Sequence, residues 1–234
     1  FAAGHVKNDI PWELNSFAAS HPDISLSCGR DLSIEAKLLV AARDRITAAM
    51  ETAGDGVSAA DTLLMVVGRG TNDPDANSNV SKVARMLWEG LGLGWAEACY
   101  SGVAHPRVDE GLERVAAMSF RRIIVFPYFL FTGVLVKRIY AQMAEVASKH
   151  PETEFVAASY LNDHPKVLDS LAERATGIAE GDNAMNCMLC KYREQVVGFE
   201  DAQGQPQAGH HHHVRGIGTD HDHDHDHDPA KESA

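Results

Sequence analysis

From residue 62 onward, short apolar runs alternate with segments of helical period, and that alternation leaves few folds open. Residues 62–67, Thr-Leu-Leu-Met-Val-Val, form a continuous β-branched run, the pattern of a strand buried on both faces. Further strands are expected at 95–100, 122–129 and 155–158, with helices at 75–91, 108–118, 130–148 and 165–178 between and after them. Strands returned by helical crossovers pair in parallel with right-handed connections. Ahead of residue 62, a helix is expected over 12–20, a short strand at 24–27 and a helix over 34–50, whose Leu38, Leu39, Ala42, Ile46 and Met50 share a helical stripe. Residues 53–61, with Gly54, Gly56 and Ser58, read as a linker.

Within this pattern the chain repeats itself. The opening Phe1-Ala2-Ala3-Gly4-His5-Val6-Lys7 is matched by Phe131-Thr132-Gly133-Val134-Leu135-Val136-Lys137, and His21-Pro22 by His150-Pro151. The second copy has residues 62–130 ahead of the matching point, so the opening predicts a unit truncated at its N-terminus. The copies differ where chemistry could sit: Leu135 stands in place of His5. A lone histidine at a helix start is commonly structural, but a difference confined to one copy favours a titratable, metal-competent role for His5. Gly68-x-Gly70 lacks the third glycine and the acidic partner of a dinucleotide fingerprint, so that function is set aside.

Bulk properties exclude other classes. With 44% hydrophobic and 23% charged residues in 234, the composition is globular and sufficient for one large or two small domains. A net charge of -12 without a basic stripe argues against nucleic acid as a partner. No run approaches the roughly 18–20 apolar residues of a membrane span. Four cysteines in a chain of this size do not make a secreted disulfide framework, so a reducing cytoplasm is expected.

Two segments carry the resemblance that ties these features together: Gly4-His5-Val6-Lys7-x-Asp9-Ile10-Pro11, and Val67-Gly68-Arg69-Gly70-Thr71-Asn72-Asp73-Pro74-x-Ala76-Asn77. The second is similar to the His-Gly-Ser-x-Asp-Pro-x-Ala-Asn opening of the class II tetrapyrrole chelatases. Over about residues 1–190 the chain resembles the long, two-repeat sirohydrochlorin cobaltochelatases of that family. The resemblance implies an α/β fold of two flavodoxin-like lobes with parallel sheets: 1–52 the C-terminal half of the first, 53–61 the linker, 62–180 the second. It implies ATP-independent insertion of cobalt(II) into sirohydrochlorin in cobalamin biosynthesis, with His5 as catalytic and metal-handling residue. The second lobe, with Arg69 and Leu135 at the corresponding positions, becomes a structural partner closing the cleft. Imidazole suits the role, because it accepts protons near pH 7 and is a borderline ligand for divalent transition ions. Arg69 and Lys7 are candidates for holding the substrate's carboxylate rim, with a solvated cation as the plainer role for Lys7.

Residues 181–200 contain Cys187-x-x-Cys190, which is half of a four-ligand metal site. A similar segment in long cobaltochelatases is associated with an iron-sulfur cluster, so the resemblance implies a 4Fe-4S cluster, with two chains of a homodimer supplying two sulfurs each. A dithiol redox pair or a free exposed pair stays open. Residues 201–234 have the composition of a disordered tail. There His210, His211, His212 and His213 precede an Asp-His alternation containing His221, His223, His225 and His227. Such mixtures bind divalent ions with exchangeable geometry, as a metal store or delivery arm would; a purification tag is the alternative. Two rival functions remain: a nickel- or iron-inserting chelatase of the same class, and a metal-storage or metallochaperone protein working through the tail.

Overall fold

In the computed structural model, which describes residues 1–180, four strands form one parallel sheet in the order β2-β1-β3-β4. They are β1 Thr62–Gly68, β2 Trp95–Tyr100, β3 Arg122–Pro127 and β4 Glu154–Ala157. The central β1 pairs with both β2 and β3, and Leu63 to Val67 are essentially inaccessible. A central parallel strand is covered on both faces, which is why its apolar run is continuous rather than alternating. The order corresponds to a flavodoxin-like doubly wound sheet.

Six α-helices flank it: α1 Ile10–Ser20, α2 Ala36–Ala53, α3 Pro74–Leu91, α4 Val108–Ala116, α5 Val134–Lys149 and α6 Pro165–Glu180. On one face of the sheet Leu38, Ala42 and Ile46 of α2 and Val80, Val83 and Leu87 of α3 pack against Leu64, Val66, Ile124 and Phe126. On the other face Leu112 and Val115 of α4 and Ile139 and Val146 of α5 meet Leu63, Met65, Ile123 and Val125. Asp73 caps α3, its carboxylate accepting from the Asp75 N–H at 3.0 Å, with Pro74 at the first helical position.

One expectation is corrected. Residues 24–27 form no strand: Ile24 and Leu26 are exposed, and a strand exists only where a neighbour takes its backbone hydrogen bonds. The stretch expected as a linker at 53–61 is bridged by contacts. Although α2 precedes it, α2 shares the core of the sheet, and the buried Arg122 of β3 donates to the Gly54 carbonyl at the end of α2 (3.0 Å) and to Glu154 (2.7 Å). Those bonds satisfy a helix-terminal carbonyl that would otherwise be unpaired. Among the described residues the first copy of the repeat contributes helices and no strand.

The repeat is visible in the geometry. α1 and α5 end alike, with His21 at φ -133, ψ 69 and His150 at φ -126, ψ 66 in the capping position. They begin differently: α5 starts as a regular α-helix, whereas α1 is entered through a π-helical turn, His5–Asp9. His21 stands one residue farther from His5 than His150 does from Leu135. A π-turn is how a helix absorbs one added residue, and such turns occur often at functional sites.

Candidate active-site cleft

A cleft of about 530 Å³ opens over the carboxyl ends of the strands, where open α/β sheets place their ligand groups. One wall is Gly4, His5 and Val6 at the start of the π-turn; another is the β1–α3 loop from Arg69 to Asn72; a third is the β2–α4 loop, with Ser101, Val103 and Arg107. Apolar side chains, among them Leu38, Val80 and Leu135, line the rest. The two repeat-related positions, His5 and Leu135, therefore face the same cleft, and Arg69 joins them.

His5 is half exposed, and its Nδ1 lies 2.5 Å from the Asp9 carboxylate. An ionised carboxylate only accepts, so in this contact Nδ1 is the donor. This is the arrangement in which a carboxylate orients an imidazole for metal or proton transfer. Among the described residues no group of three or more His, Cys, Asp or Glu side chains comes together as a metal cage.

Lys7 does not meet the expectation of a rim cation or a solvated one. It is buried, and its Nζ donates to Asp73 at 2.6 Å and to Asp75 at 2.8 Å. Burial alone would lower its pKa, but the hydrogen bonds and charges of the two carboxylates outweigh that, and the net direction is upward. The pair joins the turn carrying His5 to the loop carrying Arg69, across 66 residues of sequence. No local pattern contains that partnership.

The loop itself is fixed by short-range bonds. Asn77 accepts from the Thr71 N–H (3.1 Å) and donates to the Thr71 carbonyl (2.8 Å), and the Asp73 N–H donates to the Thr71 hydroxyl. Gly70 has φ +83 and lies so close to the next loop that a Cβ there would sit 1.8 Å from the Gly102 carbonyl oxygen. The glycine of Gly68-x-Gly70 serves loop-to-loop packing, consistent with setting the nucleotide motif aside.

Sequence reasoning missed two lining residues. Arg107 ends the β2–α4 loop, and Tyr128 follows β3; their place just beyond a strand's carboxyl end was the available signal. The Tyr128 ring stacks on Phe1 at 5.4 Å, and burial, with the Glu35 charge adding, pushes its phenol pKa up. Cys187, Cys190 and the histidines from His210 to His227 lie outside the described residues. The two described cysteines are free: Cys28 is exposed and Cys99 is buried in β2.

The CbiX family profile matches residues 1–49 and 63–177. The chain belongs to the CbiX family. As a CbiX chain it is 37% identical, over 85% of its length and 64% of the relative's, to the sirohydrochlorin cobaltochelatase of Priestia megaterium. A sirohydrochlorin ferrochelatase of the same organism is 28% identical over 74% of this chain and 62% of the relative. The chain thus spans under two thirds of the length of these curated relatives. Among solved structures, SirB from Bacillus subtilis with Fe3+ superposes with a TM-score of 0.65 at 25% identity, covering 78% of this chain and 70% of the other. SirB from Bacillus subtilis subspecies spizizenii, in complex with cobalt, gives 0.57 at 23% identity over 77% and 66% and shares the fold. The CbiX assignment agrees with the parallel sheet.

Proposed function

We propose that this chain is the metal-inserting portion of an ATP-independent sirohydrochlorin cobaltochelatase. The observation that carries this is His5, oriented by Asp9, on the wall of an apolar cleft whose other charged lining groups are arginines. Insertion places a divalent ion in the macrocycle and releases the two pyrrole N–H protons. His5 accepts one of the two protons as the ion enters, the other leaves to solvent at the mouth of the cleft, and the apolar lining limits competition by bulk water for the ion. Sirohydrochlorin's acidic side chains meet Arg69 at the rim. Cobalt is favoured as the substrate metal because the cobaltochelatase relative is more similar than the ferrochelatase relative, 37% against 28%; nickel or iron is the rival within the class.

The test is optical. With sirohydrochlorin and cobalt(II), His5→Ala should slow insertion about 10²-fold or more, the usual weight of a positioned acid–base group. Deleting 209–228 should leave most of the rate. A protein that stores metal through its tail would show the reverse, with cobalt retained by His5→Ala and lost with the tail.

For Cys187 and Cys190 the proposal is a 4Fe-4S cluster shared between two chains in a reducing cytoplasm. Such a cluster takes four thiolates, and the described part supplies none: Cys99 is enclosed by β2 and α4, and Cys28 lies on the surface in a segment without another cysteine. Two chains would be needed to complete the set. Chemical iron and sulfide analysis of anaerobically prepared protein, wild type against Cys187→Ser, decides it.

A further inference from the structure

We infer that Arg107, together with Arg69, forms a two-point clamp for the carboxylates of the bound macrocycle and so sets its orientation over His5. The inference rests on the chelatase reading for the identity of the macrocycle and adds a residue that its motifs do not contain.

Three observations converge. First, the cleft has a charge opposite to that of the molecule. The chain carries a net charge of -12, yet Arg69 and Arg107 line the cleft and no Asp or Glu does. Among the described residues neither guanidinium is in a salt bridge within 4 Å; the nearest charge to Arg107 is Glu110, one turn into α4, which accepts from the Arg107 backbone N–H at 2.9 Å. Second, the two arginines are held on adjoining loops by the backbone. The Gly102 N–H donates to the Arg69 carbonyl at 3.0 Å, the Ser101 N–H to the Gly68 carbonyl at 2.9 Å, and the Ser101 hydroxyl to the Arg69 carbonyl at 3.2 Å. A Cβ at Gly102 would lie 3.7 Å from both the Arg107 Nη1 and the Arg69 carbonyl oxygen, so Arg107 reaches back over this junction. Third, the loop between Gly102 and Arg107 is strained at a residue that itself lines the cleft: Val103, β-branched, has φ +60. Such outliers persist where the surrounding structure enforces them and cluster at ligand sites.

Planar guanidinium forks bind carboxylates through two parallel N–H···O bonds, which fix direction as well as affinity. One fork lets a flat macrocycle swing about its anchor. Two on neighbouring loops hold its edge, and the metal-accepting centre is then presented to the wall that carries His5.

The experiment separates binding from insertion. Full-length wild type, Arg107→Ala and Arg107→Lys are titrated with metal-free sirohydrochlorin and with uroporphyrin, which carries the same acetate and propionate side chains, at low and high salt. Insertion of cobalt(II) into sirohydrochlorin is followed in parallel. The clamp predicts that Arg107→Ala weakens binding of both macrocycles about tenfold or more and flattens the salt dependence. Arg107→Lys should recover only part of this, and cobalt(II) binding without macrocycle should be unchanged. Equal macrocycle affinity in wild type and Arg107→Ala, with insertion intact, overturns the clamp and leaves the chelatase function standing. Arg107-dependent binding without any insertion by wild type upholds the clamp and overturns the chelatase function. Wild type that binds neither macrocycle overturns both. An Arg107→Ala protein that does not fold leaves Arg107→Lys as the deciding variant: there full wild-type affinity overturns the bidentate clamp.

Discussion

Lys7 shows how far one residue's role depends on chain that is distant in sequence. Its ammonium is 1% exposed and the Asp73 carboxylate is inaccessible, so removing the cation leaves a buried charge with no counterion. Breaking such a pair from one side costs about 3–5 kcal/mol, and Lys7→Met should lose that much in urea unfolding; a loss under about 1 kcal/mol would show that Asp73 finds water or another donor. The pH dependence has a definite sign. The folded-state pKa of Lys7 is raised above its ordinary 10.5, so its contribution is complete below that value and disappears as pH rises through the folded-state pKa. Wild type should therefore lose stability in strong alkali more steeply than Lys7→Met. The place of His5 on the cleft was legible from the sequence because it interrupts a repeat. Lys7 was not, because both copies of the repeat have lysine there and only the partners differ: Lys137 is exposed.

At the scale of elements, α1 and α5 are copies with unequal support. α5 buries Val136, Ile139 and Val146, whereas α1 buries nothing and leaves Ile10, Trp12 and Phe17 open. Most helix stability in proteins comes from a packed face, and an 11-residue helix is marginal alone. Amides of α1 should thus exchange with solvent orders of magnitude faster than those of β1 and β3; protection equal to the strands would mean that α1 is covered in solution. The strands and helices from residue 62 onward were readable because burial on both faces writes a continuous apolar run. The 24–27 segment has the alternation of a strand, but pairing, which alternation does not report, is what makes one.

At the scale of the whole molecule, bonds among the described residues tie early to late chain. Besides Lys7 with Asp73 and Asp75, Glu35 receives Arg174 at 2.5 Å and Ser170 at 3.0 Å, and Lys37 pairs with Glu173, joining the start of α2 to α6. The sequence suggested two lobes because the repeat has two copies; it could not show that α2 of the first belongs to the core of the second. A calorimetric scan should accordingly give a single transition for α2 and the sheet, and two resolved transitions would restore the linker at 53–61. The π-turn bears on the history of the repeat. Because of its added residue, the position four beyond His5 is Asp9, on the surface, while the position four beyond Leu135 is Ile139, inaccessible in the core. Exchanging Leu135 for histidine would put an imidazole in the cleft with no carboxylate to hold it. A histidine-carboxylate pair in the second copy would therefore need a second change, at or before position 139, beside the one at 135.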